Sequence, residues 1–173
     1  RAAQLGVKKI VLGSGRARSF PDGFSKEKAY EQMAFFLKEY ASPKAQKIGC
    51  IIVIEPLRFC ETTMIHTVSD GVDVAKLCGA SNVFSLADLY HVYGNNDSIA
   101  GMMDLKGMVK HAHIAEPVKR VYPSEKDCEE VKYIYSEFVK TLEKIGCDTI
   151  SVEAHTDDFS TDMNNAIKLL KSL

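Results

Sequence analysis

Short apolar runs alternate with longer amphipathic stretches along the whole sequence of 173 residues. Residues 50–54 are continuously apolar and mostly β-branched, which is typical of a strand in a parallel sheet that is covered on both faces. The other predicted strands are Lys9–Leu12, residues 83–87, Val109–Ile114 and residues 149–152.

Apolar residues at helical spacing separate these strands. The predicted helices are a segment from the Ser25 cap to about Tyr40, a segment from Val68 that Gly79 ends, a weaker one over residues 102–108, residues 127–145 closed by Gly146, and residues 160–173. In the first helix the residues at helical spacing are Ala29, Met33, Phe36, Leu37 and Tyr40. In the last helix the residues predicted to face inward are Met163, Ala166, Ile167 and Leu170.

Alternation over about five β-α units predicts an α/β fold with a parallel sheet, helices outside it and right-handed crossovers. Two architectures fit this pattern, an open doubly wound sheet and a (β/α)8 TIM-type barrel. A whole barrel needs roughly 250 residues, so the chain, taken as a single domain over residues 1–173, would hold five of eight units. Two unpaired strand edges would remain. We expect missing upstream sequence or a partner, with a second copy of the chain as one candidate, to close the gap.

Composition excludes several function classes. Lys and Arg number 22 and Asp and Glu number 23, so no overall positive field exists to recruit nucleic acid or an anionic membrane. The longest apolar run, residues 50–54, is far too short to span a bilayer. The five scattered cysteines form no C-x-x-C pair, which predicts reduced thiols and a cytoplasmic location rather than a zinc ribbon.

Each of the last four predicted strands ends at or near a residue that can bind a metal ion. Glu55, Asp88 and Glu153 directly follow a strand, and His113 lies near the end of the fourth. The carboxyl ends of parallel strands meet at one pole of a sheet or barrel, so these four side chains are expected to converge. A lone carboxylate there is often a helix cap and a lone histidine often a core residue, but four in register favour a site. Three carboxylates and an imidazole suit Mn²⁺, Mg²⁺ or Co²⁺.

Four segments resemble the xylose isomerase-like TIM-barrel enzymes, with sugar (phosphate) isomerases and epimerases of the ketose 3-epimerase type as the most similar branch. These segments are residues 55–61 (EPLRFCE), 88–91 (DLYH), 111–117 (HAHIAEP) and 151–153 (SVE). The resemblance covers essentially the whole chain and matches it to the C-terminal five units of the barrel. It therefore implies the barrel rather than the open sheet.

The resemblance also implies a metal site and a chemistry. It implies that Glu55, Asp88, His113 and Glu153 bind one divalent ion, and that Glu55 and Glu153 act as acid and base on opposite faces of a ketose or ketose phosphate. Proton transfer next to the carbonyl would pass through an enediolate, because a nearby metal ion stabilises that charge. Both epimerisation and aldose–ketose isomerisation remain open at this stage.

Further residues are assigned to substrate binding by the same resemblance. His91 would contact the sugar near the reacting oxygens, and Glu61 would support substrate binding. The family usually supplies an arginine beyond the histidine ligand, where Lys119 and Arg120 are adjacent here, and we favour Arg120. Arg58 stands where many epimerases carry Asn, so it could bind an acidic or phosphorylated substrate, repel the metal, or pair at the surface.

The turn Gly13-Ser14-Gly15-Arg16-Ala17-Arg18 follows the first strand and could cradle an anion with its backbone amides. It lacks the full G-x-G-x-x-G pattern, so a dinucleotide site is not favoured and an ordinary loop is the default expectation. His111 shares a face with His113 and is expected one layer deeper, as a supporting or core residue rather than a ligand.

Two alternatives to an isomerase are open from sequence. One is a zinc-dependent barrel endonuclease of the same superfamily, which needs an additional Asp-x-His near residues 126–128. The chain has Lys126-Asp127-Cys128 there and no histidine. The other is a non-catalytic sugar-binding or metal-binding chain, or an inactive partial barrel.

Overall fold

The computed structural model describes residues 1–173 and contains five strands with helices between them. The strands are β1 (Lys9–Leu12), β2 (Ile51–Ile54), β3 (Val83–Asp88), β4 (Val109–Ile114) and β5 (Ile150–Val152). The α-helices are α1 (Gly15–Arg18), α2 (Lys26–Phe36), α3 (Ser42–Lys47), α4 (Val68–Cys78), α5 (Leu89–Gly94), α6 (Glu129–Ile145) and α7 (Phe159–Ser172). Short 3-10 helices cover Ala3–Leu5 and Ala100–Leu105, and a π-helical segment covers Leu37–Ala41.

The five strands pair in chain order, and every pair is parallel. With helices between successive strands, the result is a partial TIM barrel, which confirms the predicted fold class. β1 pairs only with β2 and β5 only with β4, so both outer edges of the sheet are free of strand partners. The predicted strand positions hold to within one residue at each end, with Asp88 inside β3 and with Cys50 and Thr149 outside β2 and β5.

The sheet curves enough for a side chain of β1 to reach the opposite end. Lys9 Nζ donates to the carbonyl of Lys110 at 2.6 Å, to Asp148 Oδ1 at 2.7 Å and to Thr149 Oγ1 at 2.6 Å. Because β4 and β5 lie at the far side of the sheet, this ammonium group spans the interior of the partial barrel.

Helix ends follow the sequence signals. Ser25 accepts a hydrogen bond from the backbone N–H of Lys28 and so caps α2, as predicted. A capping box of Thr67 and Asp70 begins α4, and Gly79 ends it in the left-handed conformation. These local signals fix where the crossover helices start and stop.

α6 packs an apolar face against the core. Tyr135, Phe138, Leu142 and Ile145 are buried against the core that β4 shares, as the helical spacing predicts. α6 begins at Glu129 rather than at Asp127, because the Asp127 carboxylate accepts hydrogen bonds from the Ser124 N–H and the Tyr135 hydroxyl instead.

The first predicted helix differs from expectation beyond Leu37. Its path continues through the π-helical segment into α3 and so passes Tyr40, the predicted end, by several residues. Phe36 and Tyr40 are 47% and 53% exposed, although they share helical spacing with the buried Leu37. Phe36 borders an apolar groove along the free edge of β1, where no further strand covers it.

Three smaller expectations are also corrected. α7 buries Ala166 and Leu169, whereas Ile167, predicted to face inward, is 40% exposed. The weak helix predicted over residues 102–108 is the 3-10 helix Ala100–Leu105. α5 has no counterpart among the predicted helices, and it begins where Asp88 accepts a hydrogen bond from the Tyr90 N–H.

None of the helices combines the length and the apolar character needed to cross a bilayer. The five cysteines are free thiols.

Candidate metal centre

Four strands carry their polar side chains to one pole of the sheet. Glu55 follows β2, Asp88 ends β3, His113 lies next to the end of β4, and Glu153 follows β5. One potential ligand atom from each of these side chains lies within 4.8 Å of all the others. The convergence follows from the parallel register, since Asp88 pairs with His113 and Ile54 with Ser85 on neighbouring strands.

His113 occupies the middle of the group. Its Nδ1 lies 2.8 Å from Glu55 Oε1, 2.8 Å from Glu153 Oε2 and 4.0 Å from Asp88 Oδ2. Glu55, Asp88 and His113 are buried, and the Glu153 side chain is half-exposed.

Asp88 has one oxygen without a partner. Its Oδ1 accepts a hydrogen bond from the Tyr90 N–H at 2.9 Å, whereas its buried Oδ2 has no hydrogen-bond partner. An unpaired buried carboxylate oxygen is unfavourable unless a cation satisfies it. This orphaned oxygen, together with a donor set of three carboxylates and one imidazole, fits a hard divalent ion.

The pKa values of the group reflect crowding of negative charge. Burial, and next the charge of Glu55, raise the pKa of Asp88 to about 7. Burial alone would lower the pKa of His113, but hydrogen bonds and charges from Glu153 and Glu55 outweigh it and raise that pKa to about 10. The hydrogen bond from His113 lowers the pKa of Glu153 to about 2. A protonated His113 therefore adds positive charge among these carboxylates at neutral pH, a function that a divalent ion can replace.

His91 and Glu61 lie beside the four clustered side chains. His91 is 2% exposed; its Nε2 lies 3.4 Å from Asp88 Oδ2 and its Nδ1 lies 3.3 Å from Glu61 Oε2. Neither ring nitrogen has a hydrogen-bond partner, and burial lowers the pKa of His91. Both ring nitrogens of His91 thus lie close to carboxylates of the site without a hydrogen bond to them.

Arg120 reaches the cluster from the loop after β4. Its Nη2 lies 3.2 Å from Glu153 Oε2 and 3.9 Å from Asp88 Oδ2. The Arg120 backbone has a φ of 56°, in the left-handed region, and the buried Glu116 carboxylate holds this loop by accepting the N–H groups of Val118 and Lys119. The neighbouring Lys119 is exposed and does not line the cavity over the cluster.

Arg58 is directed toward Glu61 and Tyr90. Its Nε lies 3.5 Å from Glu61 Oε2, and its guanidinium carbon lies 4.3 Å from the centre of the Tyr90 ring. The guanidinium of Arg120 lies 4.8 Å from the same ring, so Tyr90 contacts two arginines. Gly94 leaves room for the Arg58 side chain, because a Cβ there would lie 2.7 Å from Arg58 Cδ.

A polar cavity of about 450 Å³ opens over the cluster. The residues that line it are Gly13, Gly15, Arg16, Glu55, Leu57, Cys60, Glu61, His91, Arg120 and Glu153. The turn after β1 lines this cavity, although it was expected to be an ordinary loop and is not among the predicted site residues. The available signal for the turn is its position, since it follows β1 as Glu55 follows β2.

His111 lies below the cluster. Its ring centre is 5.2 Å from that of His113, its Nδ1 lies 2.8 Å from Thr149 Oγ1, and its Nε2 lies 3.1 Å from Ser151 Oγ. Burial, and next the charge of His113, lower the pKa of His111 to about 4. His111 is not one of the four clustered ligands, in line with its expected supporting position.

Additional zinc ligands of the endonuclease type are not found near residues 126–128. The Asp127 carboxylate is engaged by Ser124 and by Tyr135, and it does not belong to the ligand group. No second group of three or more His, Cys, Asp or Glu ligands accompanies the first.

Comparison with known proteins places the chain among barrels of one family. A family model described as a xylose isomerase-like TIM barrel matches residues 1–173. The structure is similar to 3-keto-D-glucoside 4-epimerase from E. coli, with 18% identity, a TM-score of 0.80, and coverage of 99% of this chain and 66% of that one. It is also similar to a D-psicose 3-epimerase solved in the presence of D-fructose, with 18% identity, a TM-score of 0.79, and coverage of 99% and 65%. A third similar structure, the IOLI protein with a bound zinc atom, has 20% identity, a TM-score of 0.74, and coverage of 99% and 63%.

No curated protein sequence matches the chain. The chain spans less than two thirds of the length of each of the three solved structures. At identities of 18% to 20%, these similarities establish the fold.

Proposed function

The chain belongs to the xylose isomerase-like TIM barrel family, and from that premise we propose that it is a divalent-metal-dependent isomerase or epimerase of a ketose or ketose phosphate. The observation that carries the proposal is the convergence of Glu55, Asp88, His113 and Glu153 within 4.8 Å beneath a polar cavity. The epimerases among the similar structures support the same reaction class.

The metal in this proposal is one Mn²⁺, Mg²⁺ or Co²⁺ ion held by the four clustered side chains. Its support is the oxygen-rich ligand set and the unpaired Oδ2 of Asp88. When bound, such an ion supplies positive charge that stabilises negative charge developing on the substrate oxygens.

The two glutamates divide the proton transfer. One carboxylate takes the proton from the carbon next to the carbonyl, and the electron pair left behind delocalises into the carbonyl as an enediolate. The other glutamate, in its acid form, returns a proton, so the sum of protons on the protein is unchanged. Support for an ionised base comes from Glu153, whose pKa the hydrogen bond from His113 lowers to about 2.

Substrate recognition is proposed for His91, Glu61 and Arg120. His91 carries two unpaired ring nitrogens beside the cluster, which suits hydrogen bonding to sugar oxygens. Glu61 and Arg120 line the same cavity, where a carboxylate can accept sugar hydroxyls and a guanidinium can donate to oxygens. Lys119, the other basic residue of the loop, is exposed and is assigned a lesser part.

The test is exchange of carbon-bound hydrogen with solvent. The purified protein, loaded with Mn²⁺ in D₂O, is incubated with a panel of ketoses and ketose phosphates and followed by NMR. We expect deuterium incorporation that a chelator stops and that Glu55→Gln and Glu153→Gln each abolish. Deuterium at an inverted centre identifies an epimerase, and deuterium accompanied by a new aldose identifies an isomerase. Absence of exchange with every sugar in the panel would remove the main support for the proposal.

A further inference from the structure

The turn after β1 contacts Glu55 at its carboxylate. A Cβ built on Gly13 would overlap Glu55 Oε2 and would lie 3.2 Å from Glu55 Cδ and 3.7 Å from its Cβ. Glu55 Oε1 is meanwhile held by His113 Nδ1 at 2.8 Å. The carboxylate is therefore confined between a glycine that leaves it room and a neighbouring member of the ligand cluster. Gly13 does not have a positive φ, so a glycine is needed here because it has no side chain and not because of its backbone conformation.

Arg18, at the other end of the turn, contacts the backbone of Glu55. Its Nη2 donates to the Glu55 carbonyl at 2.6 Å, and its Nη1 donates to the Leu12 carbonyl at 3.2 Å. One guanidinium thus joins the ends of β1 and β2 at the pole where the ligands gather. Arg18 is 8% exposed, and burial lowers its pKa to about 10 although the charge of Glu55 opposes the shift. Burying a guanidinium is unfavourable unless it is hydrogen-bonded. Both hydrogen bonds of Arg18 go to backbone carbonyls at the ends of β1 and β2.

We infer that Gly13 and Arg18 are positioning residues that set the place of the Glu55 carboxylate in the metal centre. Gly13 gives the carboxylate its space, and Arg18 fixes the backbone that carries it. The inference rests on the proposed metal site and adds to it the turn after β1, for which an ordinary loop was the default expectation from sequence. Outer residues that orient a metal ligand typically change metal affinity by about 10-fold to 100-fold when they are replaced.

The sign of the effect separates positioning from simple electrostatics. Removing a positive charge near a cation site should tighten cation binding, because repulsion falls. If Arg18 positions Glu55, Arg18→Met should instead weaken cation binding. Arg16 lies two residues earlier in the same turn and is exposed, so Arg16→Met reports the electrostatic effect without the contact to Glu55.

The experiment is calorimetric titration of the purified protein with Mn²⁺ alone. We expect Gly13→Ala and Arg18→Met to bind Mn²⁺ about 10-fold or more weakly than wild type, and Arg18→Lys to recover part of the loss. Ser14→Ala and Arg16→Met, in the same turn, should bind as tightly as wild type or more tightly. Thermal unfolding of each metal-free variant checks folding, and if Arg18→Met does not fold, Gly13→Ala carries the test.

Two results would overturn the inference while the metal site stands. They are wild-type Mn²⁺ affinity in Gly13→Ala, or Mn²⁺ binding by folded Arg18→Met that is as tight as that of Arg16→Met. Failure of the wild-type protein to bind Mn²⁺ would overturn the metal site of the proposed function as well, so the two failures are distinguishable.

Discussion

The pKa of Asp88 depends on its burial and on the charges of the side chains clustered around it. Burial and the Glu55 charge raise its pKa to about 7, and its Oδ2 has no hydrogen-bond partner. The metal-free protein therefore carries a carboxyl group whose ionised form is poorly stabilised. A cation bound by the four side chains would remove this conflict, since it would pair with the oxygen that has no hydrogen-bond partner.

Asp88→Asn should abolish Mn²⁺ binding without destabilising the metal-free protein. The amide keeps the shape of the side chain but removes the charge that burial disfavours. The measurement is the unfolding midpoint with and without Mn²⁺: wild type should shift upward with the ion, and the variant should not. Asp73→Asn, an exposed substitution on α4, is the control and should respond to Mn²⁺ as wild type does. A full Mn²⁺ response in Asp88→Asn would contradict the prediction.

The stabilisation by Mn²⁺ should grow as the pH rises from 7 to 9. The folded-state pKa of His113 is raised to about 10, so its contribution to stability is complete below its ordinary pKa near 6.5 and is lost as the pH rises through 10. Metal ligation requires the neutral imidazole, so the stability of the Mn²⁺-bound protein does not include the contribution of protonated His113. As the pH rises, only the metal-free protein loses stability in this way. Unfolding midpoints at several pH values, each with and without Mn²⁺, give the difference directly. A difference that shrinks with rising pH would contradict this account.

At the scale of single elements, α6 packs against β4, the strand that carries His113. Its buried face belongs to a core that also contains Ala112 and Ile114 of β4. The residues of this face in the core are Tyr135, Phe138, Leu142 and Ile145. Its outer face is solvated, as Tyr133 at 69% exposure shows. A buried and an exposed aromatic residue on this helix can therefore be replaced and compared.

Phe138→Ala should lower the free energy of unfolding by about 3–5 kcal/mol, because Phe138 is fully buried and the substitution leaves a cavity. Tyr133→Ala, an exposed aromatic truncation on the same helix, should change it by about 0.5 kcal/mol or less. Urea denaturation of both variants measures the difference. Equal losses in the two would show that the α6 faces are assigned wrongly.

At the scale of the whole molecule, the partial barrel is held in its curvature by contacts across the interior as well as by its strand pairs. Lys9 of β1 is hydrogen-bonded to Lys110, Asp148 and Thr149 at the far side of the sheet. The same curvature brings Glu55 within 4.8 Å of Glu153 although β3 and β4 stand between their strands.

Lys9→Met should therefore destabilise the protein by about 1–2 kcal/mol, since it removes three charge-assisted hydrogen bonds, one of them to a largely exposed carboxylate. Lys8→Met is the control, because Lys8 is exposed and adjacent, and it should have a negligible effect. The measurement is chemical denaturation at fixed pH. The same loss in both variants would mean that the contacts across the interior do not stabilise the curvature.

Local pattern was sufficient for the five strands, for the longer helices between them and for the choice of four candidate ligands. Continuous apolar runs mark strands covered on both faces, and parallel strands end at one pole, so Glu55, Asp88, His113 and Glu153 could be grouped before any distance was known. Ser25, Gly79 and Gly146 marked helix ends because capping depends on neighbours in the chain.

Tertiary structure alone decided the contacts between residues that are distant in the chain. The room that Gly13 leaves for Glu55, the reach of Arg18 to two strand ends, the placement of Tyr90 against Arg58 and Arg120, and the burial of Leu169 in place of Ile167 belong to this group. Each depends on strand register, on sheet curvature or on which edge of the sheet is covered. These are global properties, and periodicity within one segment carries no information about them.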